Sequence, residues 1–379
     1  MRRMKCKVLT TLAAVALGGA ALPMNPAHSV VPPAIAMANY LLHQQDVNGA
    51  IPDEPGGAIV NEDSNMEYAL MGIGAAYSST HDQKYLSALT RGIRWLGARE
   101  ELADPLWRGS FRYAYASTPP YLPVQVSPGP GIVDVRGVDA TSSLFAHLVA
   151  LQVDLSNSNA LAVELSAHVH AALGFLLAHN HAPDGFFWSS WQQRAGGAWA
   201  LWKYQYAADQ GDVYLGFRAG ADLYNDASYA TTATFLAANT TRAFFLVKAQ
   251  RFGVGRESAA HIDTGLDGFN GIFAQGYLAW VFGDHAETRA AAAWLGARVR
   301  SDGSVRTSAR GKAFTLSAAM LIFADTHTGL PQHASTTQWL TTVPFDVSDG
   351  GVRDTNKINS AKYSNVAAFS LIALLGIAP

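Results

Sequence analysis

The stretch Ala171-Ala172-Leu173-Gly174-Phe175-Leu176-Leu177-Ala178-His179-Asn180, followed by the turn Asp184-Gly185, decides the fold of this chain. Its alanine and leucine residues recur at helical spacing, which predicts a helix that runs into a tight turn. The same succession occurs at Asn48-Gly49, Asp302-Gly303 and Asp349-Gly350, and a second helix is predicted after each turn. Two more helix pairs fit the scheme without the dipeptide. The chain is therefore predicted to contain six helical hairpins, the number that closes an (α/α)6 toroid.

The two helices of each pair have different places in this all-α fold. The first helices, expected on the outer ring, are predicted near 33–45, 82–99, 158–179, 229–251, 286–299 and 334–342. The second helices, expected to line the inside, are predicted near 64–79, 140–154, 211–224, 267–282, 313–326 and 364–377. No linker rich in Ser, Gly and Pro divides the pairs, so residues 30–379 are predicted to form one domain. All six first-to-second loops should emerge on one face, where we expect the functional site.

The N-terminal segment has the pattern of a targeting signal. Four basic residues in Met1-Arg2-Arg3-Met4-Lys5-Cys6-Lys7 precede an apolar run from Val8 to Leu22, and small residues follow around Ala27. This pattern predicts a secretory signal peptide over residues 1–29 and hence a secreted or periplasmic protein. The run is too short to predict a membrane span, and no later segment is apolar for long enough.

Cysteine content and charge exclude several classes of function. Cys6 is the only cysteine and lies inside the predicted signal, so the mature chain should have no disulfide, thiolate zinc site or cysteine nucleophile. Removal of residues 1–29 deletes four basic residues and no acidic one, which leaves 23 basic against 29 acidic residues and a net charge of −6. This charge, without a basic patch, argues against a nucleic-acid partner.

Aromatic residues concentrate in the two longest predicted loops, near 100–139 and 180–211, which hold five of the nine tryptophans. A loop does not ordinarily expose so many large rings without a partner for them. Sugar rings are suitable partners, because the apolar C–H face of a sugar matches the face of an aromatic ring. The alternative is that the rings only pack the two loops together. The candidates for substrate binding are Trp107, Tyr113, Trp188, Trp191, Trp199, Trp202, Tyr204 and Tyr206.

Acidic residues gather where inner helices are expected to begin. Glycoside hydrolysis needs one carboxylic acid to protonate the leaving oxygen and one carboxylate to activate water or attack carbon. We expect the two to come from different inner helices, because neighbours on one helix cannot flank a glycosidic bond. The structural alternative is that they only cap helices, where Asp is common. The candidate catalytic residues are Glu62, Asp63, Asp139, Asp209, Asp212 and Asp263, and Glu67 and Asp267 lie near them.

The histidines show no spacing typical of a metal site. His168 and His170 are two residues apart, as are His179 and His181, and no His-Glu-x-x-His occurs. No catalytic metal and no cofactor is predicted. The acidic turn Asp46-Val47-Asn48-Gly49 could hold a structural calcium ion.

Taken together, the six hairpins, the predicted signal, the acidic helix starts and the Trp-rich loops resemble the six-hairpin glycosidase superfamily. The segment Asn61-Glu62-Asp63-Ser64-Asn65-Met66-Glu67-Tyr68 resembles the way several of these families open their first inner helix with an acid. The resemblance covers nearly the whole mature chain and implies a carbohydrate substrate and carboxylates on the loop face. The Asp-Gly turns are also similar to terpenoid-cyclase and prenyltransferase toroids. The chain lacks the Asp-x-Asp-Asp and Asp-Asp-x-x-Asp motifs of that branch and the cysteine of the prenyltransferase zinc site.

Three functions are compatible with these features. The first is a glycoside hydrolase that cleaves a poly- or oligosaccharide by carboxylate acid–base catalysis. The second is a polysaccharide lyase, in which Tyr or His takes a proton from a uronate, although a net charge of −6 argues against an acidic polymer. The third is a non-catalytic glycan-binding toroid. Residues that could serve a lyase are His179, His181, Lys203, Tyr204, Tyr206, Lys357, Lys362 and Tyr363.

Overall fold

Thirteen α-helices lie within the residues that the computed structural model describes, which are 32–258, 260–266, 269–306 and 313–379. The outer helices are α1 (Pro33–Gln44), α3 (Gln83–Gly97), α5 (Ala160–Glu164) with α6 (Ser166–Phe175), α8 (Ala227–Ala243), α10 (Ala286–Gly296) and α12 (Ala334–Thr342). The inner helices are α2 (Asn65–Thr80), α4 (Asp139–Ser156), α7 (Ala207–Tyr224), α9 (Phe269–Phe282), α11 (Thr315–Thr328) and α13 (Ser364–Leu375). The predicted signal peptide, residues 1–29, lies outside the described residues and stays a prediction.

The inner helices form a closed ring. Each packs against the next in the order α2, α4, α7, α9, α11 and α13, and α13 returns to α2. The outer helices α1, α3, α6, α8 and α10 each pack against two inner neighbours, and α12 packs against α11. The predicted (α/α)6 toroid of six helical hairpins is therefore confirmed. Pro32–Pro379 forms one compact unit.

Burial follows the two roles of the helices. In the outer helix α3, buried residues such as Tyr85, Leu89 and Leu96 follow one face, as expected for a surface helix. In the inner helix α2, every residue from Met66 to Tyr77 is buried, because other helices surround it. Small residues allow close approach in the ring: a methyl group at Gly276 of α9 would overlap the backbone of Met320 in α11.

The glycines of the repeated turns join one hairpin to the next. Gly49, Gly303 and Gly350 all have positive φ, which an L side chain rarely adopts. A methyl group at these positions would overlap the backbone of α3, α12 and α1, respectively. The Asp-Gly and Asn-Gly pattern is thus a packing requirement of the ring as well as a turn signal.

Short strands connect the loops on the face where the inner helices begin. Strand β1 (Ile59–Val60) pairs with β2 (Tyr115–Ala116), and β3 (Ile132–Arg136), β4 (Ser190–Arg194) and β5 (Trp199–Trp202) form a three-stranded antiparallel sheet. Strand β6 (Gln205–Tyr206) pairs with β9 (Gly255–Ser258), which pairs with β10 (His261–Ile262), and β7 (Phe245–Leu246) pairs with β8 (Arg251–Phe252). In the part of the chain described, no helix is long and apolar enough to span a membrane.

Candidate active site

The turn that leads into α2 has an unusual backbone. Asn61, Asp63 and Ser64 have left-handed φ values of 61°, 52° and 68°. Such conformations cost non-glycine residues on the order of 1–3 kcal/mol each, and they cluster at functional sites. Ser64 is buried, whereas the neighbouring Asp63 side chain is exposed. The strained turn thus presents an acid at the mouth of the toroid.

A cavity of about 420 Å³ opens beside this turn. Its size falls within the roughly 300–1,000 Å³ of small-molecule sites. The first residues of α2 and α13, the start of α11, the first turns of α9 and the loop before β2 all contribute to its wall. The lining residues are Glu62, Asp63, Asn65, Tyr113, Ile272, Phe314, Leu316, Asp354, Tyr363, Asn365 and Val366.

Asp63 is the accessible carboxylate of the cavity. Its carboxyl group is open to the cavity, yet protein encloses that cavity on most sides. This partial desolvation raises the pKa of Asp63 to about 6, and the negative charge of Glu62 adds to the rise. Asp63 is therefore mainly ionised at neutral pH, in the form that a base or nucleophile requires.

Two further carboxyls, Asp139 and Asp209, lie where α4 and α7 begin. Asp139 is the first residue of α4 and is fully buried, and its Oδ1 accepts a 2.9 Å hydrogen bond from the backbone N–H of Ala140. Asp209 is half-buried in the first turn of α7. Burial raises the pKa of both well above its usual range. The charges of Asp63 and Asp212 raise the pKa of Asp209 further, whereas its hydrogen bond with Asp139 lowers it.

Asp212 lies three residues beyond Asp209 in α7, inside the core. Its exposed fraction is 0%, and it does not line the cavity. Oδ2 accepts a 2.9 Å hydrogen bond from the hydroxyl of Tyr68, and Oδ1 accepts one from the hydroxyl of Tyr277. Burial raises the pKa of Asp212 to about 8. The carboxyl thus joins α2, α7 and α9 at the centre of the barrel.

Asp263, the last candidate acid, lies in the loop between β10 and α9. It is exposed, and its two oxygens accept hydrogen bonds from the hydroxyl of Tyr204 at 3.2 Å and the backbone N–H of Gly265 at 2.8 Å. Asp267 lies outside the described residues. The structure thus places Asp63, Asp139 and Asp209 where three successive inner helices begin, Asp212 inside the core and Asp263 in an exposed loop.

Three of the candidate tryptophans, Trp107, Trp191 and Trp199, pack on one another. The centroid of Trp107 lies 5.6 Å from that of Trp191 and 5.2 Å from that of Trp199. The guanidinium of Arg136 lies 4.1 Å from the Trp107 ring centroid, and Trp107 is 7% exposed. These contacts pack the two long loops together. The packing alternative therefore holds for Trp107, Trp191 and Trp199.

The other rings are more accessible. Trp202 stacks on Tyr204 with centroids 5.4 Å apart, and Tyr204 contacts Tyr206 at 4.7 Å. These three residues, called the aromatic rim below, are half-buried. Burial and the charge of Asp263 raise the pKa of Tyr204, and Asp209 contributes a smaller part, which places the rim beside the candidate acid. Tyr113 lines the cavity, and Trp188 lies against the ammonium of Lys203.

The cavity is lined by both acidic and apolar residues. Glu62 and Asp63, just before α2, bring carboxyls to the cavity, and Asp354 brings a third. The neighbouring helices α9, α11 and α13 instead bring the aliphatic residues Ile272, Leu316 and Val366. A ligand in the cavity thus meets both carboxyl groups and aliphatic side chains.

Several residues of the site were not predicted from the sequence. They include Asp53, Tyr68, Tyr277 and the linked amides of Asn65 and Asn365, whose side chains form a 2.5 Å hydrogen bond. Asp53 stands in Pro52-Asp53-Glu54-Pro55, a pattern that indicates only a turn. Its partners lie eight and nine residues further along the chain, and no local pattern reveals them.

The described residues contain no group of three or more His, Cys, Asp or Glu side chains arranged to hold a metal ion. At the turn proposed for calcium, Asp46 Oδ1 accepts hydrogen bonds from the backbone N–H groups of Asn48, Gly49 and Ala50. The Asp46 carboxylate thus bonds the backbone of its own turn.

Comparison with known proteins identifies the fold. No family model matches the chain, and no curated protein matches its sequence. A sugar epimerase from a ruminal bacterium has a TM-score of 0.64 at 9% identity, with 90% of this chain and 97% of that chain covered. A glycosidase has a TM-score of 0.62 at 14% identity, with 92% and 97% covered. The unsaturated glucuronyl hydrolase of Bacillus sp. GL1 has a TM-score of 0.61 at 12% identity, with 90% and 95% covered.

These likenesses confirm the resemblance to the six-hairpin glycosidase superfamily at the level of the fold. The neighbours are carbohydrate-active enzymes, and they include a D-mannose isomerase as well as hydrolases and an epimerase. A fold shared at such low identity does not select among these reactions. The selection depends on the side chains of this chain.

Proposed function

We propose that the protein is a glycoside hydrolase in which Asp63 and Asp209 are the two catalytic carboxyls. The observation that carries the proposal is a pair of interacting carboxyls with raised pKa values, brought by different inner helices. Asp63 has a pKa of about 6, and the pKa of Asp209 lies well above its usual range. Two carboxyls whose surroundings separate their pKa values are typical of acid–base catalysis. The carbohydrate-active neighbours support a sugar substrate.

In the proposed reaction, Asp209 is the general acid and Asp63 is the base or nucleophile. Asp209 donates its proton to the glycosidic oxygen as the bond to the anomeric carbon breaks. Asp63 either takes a proton from the attacking water or attacks the anomeric carbon itself, and the separation of the two carboxyls sets the choice. Asp139 is buried and does not line the cavity, and its side chain hydrogen-bonds that of Asp209, so we assign it as a positioning residue that orients Asp209.

The sugar units on the two sides of the bond meet different surfaces. Asp63 lines the cavity, whereas Asp209 lies toward the aromatic rim. We therefore place one sugar in the cavity and the next against Trp202 and Tyr204. The predicted signal peptide supports action on a glycan outside the cytoplasm, and this location remains part of the proposal.

Tyr204, one of the tyrosines that could serve as a lyase base, argues against the lyase alternative. Burial and the charge of Asp263 hold the pKa of Tyr204 well above its usual value, which disfavours the phenolate form that would take a proton. A second lyase candidate, Lys362, is paired with Asp346 at 2.9 Å and with Asp349 at 2.7 Å. These residues favour hydrolysis over elimination.

The test uses Asp63→Asn and Asp209→Asn with a panel of neutral and acidic polysaccharides. Each variant should lose at least about 10²-fold in turnover, the lower end of general acid–base contributions, with the fold retained. Asp226→Asn is the matched control, because Asp226 caps the outer helix α8 through the N–H groups of Ser228 and Tyr229. It should cost little stability, because Asn and Asp cap helices about equally well, and it should leave turnover unchanged.

Two results would reject the hydrolase. Products with the ultraviolet absorbance of an unsaturated sugar would show elimination. Full turnover in both Asp63→Asn and Asp209→Asn would remove these residues from catalysis. The anomeric form of the first product, followed by NMR, distinguishes attack by Asp63 from attack by water.

A further inference from the structure

We propose that Asp53 is a positioning residue whose carboxylate holds the strained turn that presents Asp63. The inference rests on the proposed function, in which Asp63 is the ionised catalytic carboxylate. Asp53 is 8% exposed and is not among the residues that line the cavity. It therefore acts through the turn and does not contact the substrate.

Both oxygens of Asp53 bind the backbone of the turn. Oδ1 accepts a 2.8 Å hydrogen bond from the N–H of Asn61, and Oδ2 accepts a 3.0 Å bond from the N–H of Glu62. The side chain of Asn65, the first residue of α2, also bonds this carboxylate. A carboxylate shared by successive N–H groups fixes the orientation of their peptide planes. These planes immediately precede Asp63, so they set the direction of its side chain.

The turn depends on such contacts because its backbone is unfavourable by itself. Asp63 has φ 52° and ψ 55°, and the residues Asn61 and Ser64 are also left-handed. Sparsely populated conformations persist only where surrounding groups hold them. Removal of the contacts should let the turn relax toward ordinary φ values and carry the Asp63 carboxylate away from its place.

Asp53 also lies where the ring closes. Its backbone oxygen accepts a 2.8 Å hydrogen bond from the N–H of Ser364, the first residue of α13. The carbonyl of Pro52 accepts a 2.6 Å bond from the Ser364 hydroxyl. On the opposite side of the turn, the hydroxyls of Ser64 and Thr141 bond at 2.9 Å. The turn is thus fixed against the last inner helix through Asp53 and against α4 through Ser64.

The experiment compares Asp53→Asn with Asp46→Asn. Asp46 holds a turn in the same loop through three backbone N–H groups, but that turn carries no cavity residue. Asp53→Asn should lower kcat on the order of 10- to 100-fold, the effect of a small misplacement of a reacting group. Its KM should change by less than about threefold, because the substrate contacts remain. Asp46→Asn should leave both constants near wild type, and Asp53→Glu, which keeps two acceptors, should retain more kcat than Asp53→Asn.

A double variant separates positioning from general stability. In an Asp63→Asn background, Asp53→Asn should add little further loss of kcat, because residues that act as a unit are not additive. A full multiplicative loss, or equal losses from Asp53→Asn and Asp46→Asn, would overturn the proposal.

Amide hydrogen exchange gives a readout that does not depend on activity. Asp53→Asn should speed exchange at residues 61–64, whereas Asp46→Asn should not. If wild-type protein releases no sugar, the proposed function fails, and exchange alone then decides whether Asp53 holds the turn. Unchanged exchange at 61–64 would overturn the inference even in an active enzyme.

Discussion

Asp209 and Asp212 are three positions apart on helix α7, and their carboxyls have different surroundings. Asp209 is half-buried beside the charge of Asp63, whereas Asp212 is enclosed between the hydroxyls of Tyr68 and Tyr277. The acid that reaches the mouth is suited to donate a proton to a substrate. The enclosed acid is suited to hold helices together and, once it ionises near pH 8, to act on Asp209 through its charge.

We expect Asp212→Asn to retain turnover at its optimum pH and to change the pH profile. Above about pH 8 Asp212 is ionised, and loss of that charge removes one cause of the raised pKa of Asp209, so Asp209 should deprotonate at lower pH. The alkaline limb of kcat/KM should therefore move to lower pH. The acidic limb, set by ionisation of Asp63 near pH 6, should stay in place.

The same variant should cost about 1–3 kcal/mol of stability, because one buried tyrosine hydroxyl loses its acceptor. The checks are a pH–rate profile and thermal unfolding. A loss of turnover near 10²-fold at every pH, with substrate binding intact, would instead make Asp212 a catalytic acid or base.

The sequence alone predicted the candidate acids, but it could not select the proposed catalytic pair among them. Asp63, Asp139 and Asp209 were found because helix starts can be predicted from periodicity and caps. The choice depends on burial and on charges from other helices, which only the closed ring brings together. Asp53 was missed because a single acid in a Pro-rich turn carries no signal of the distant backbone that it binds.

At the scale of elements, the helices lie close to their predicted bounds, whereas the short strands in the loops were not predicted. Inner and outer helices begin and end within a few residues of the predicted bounds, except that α8 ends at Ala243 and the chain then forms β7 and β8. Strand β4 reads Ser-Trp-Gln-Gln-Arg, without the apolar alternation of a half-buried strand. Its partner β3 belongs to another loop, and such pairing has no local pattern.

The aromatic residues of the long loops are either packed in the interior or accessible on the rim, and substitution should distinguish the two groups. Trp107→Ala should cost about 3–5 kcal/mol, as large-to-small changes in cores do, because Trp107 is 7% exposed and packed by Trp191 and Trp199. Trp202→Ala should cost much less stability, because Trp202 is half-buried on the aromatic rim.

Trp202→Ala should instead weaken substrate binding several-fold, since aromatic stacking contributes on the order of 1 kcal/mol beyond area burial. Thermal unfolding and calorimetric titration with an oligosaccharide give the two quantities. Normal binding by a stable Trp202→Ala protein would show that the rim only packs.

At the scale of the whole molecule, the repeated turns act as joints of the ring. The turn of the last hairpin contains Gly350, where a methyl group would overlap the carbonyl of Ala36 in α1. Helix α13, which follows this turn, packs against α1 and α2. The Asp-Gly repeat in the sequence predicted the turns, but the helix that each glycine touches follows only from closure of the toroid.

Gly350→Ala tests this closure. The substitution imposes two costs: a side chain at φ +79°, and displacement of α1 by the new methyl group. Gly283→Ala is the matched control, because Gly283 has φ +78° and nothing within 4 Å of the added methyl group. The control should lose about 1–2 kcal/mol, the cost of the left-handed conformation. Gly350→Ala should lose a further 1–3 kcal/mol or so, as overpacked sites do. Chemical unfolding monitored by circular dichroism measures both, and equal losses would show that the contact between the last and first hairpins does not stabilise the ring.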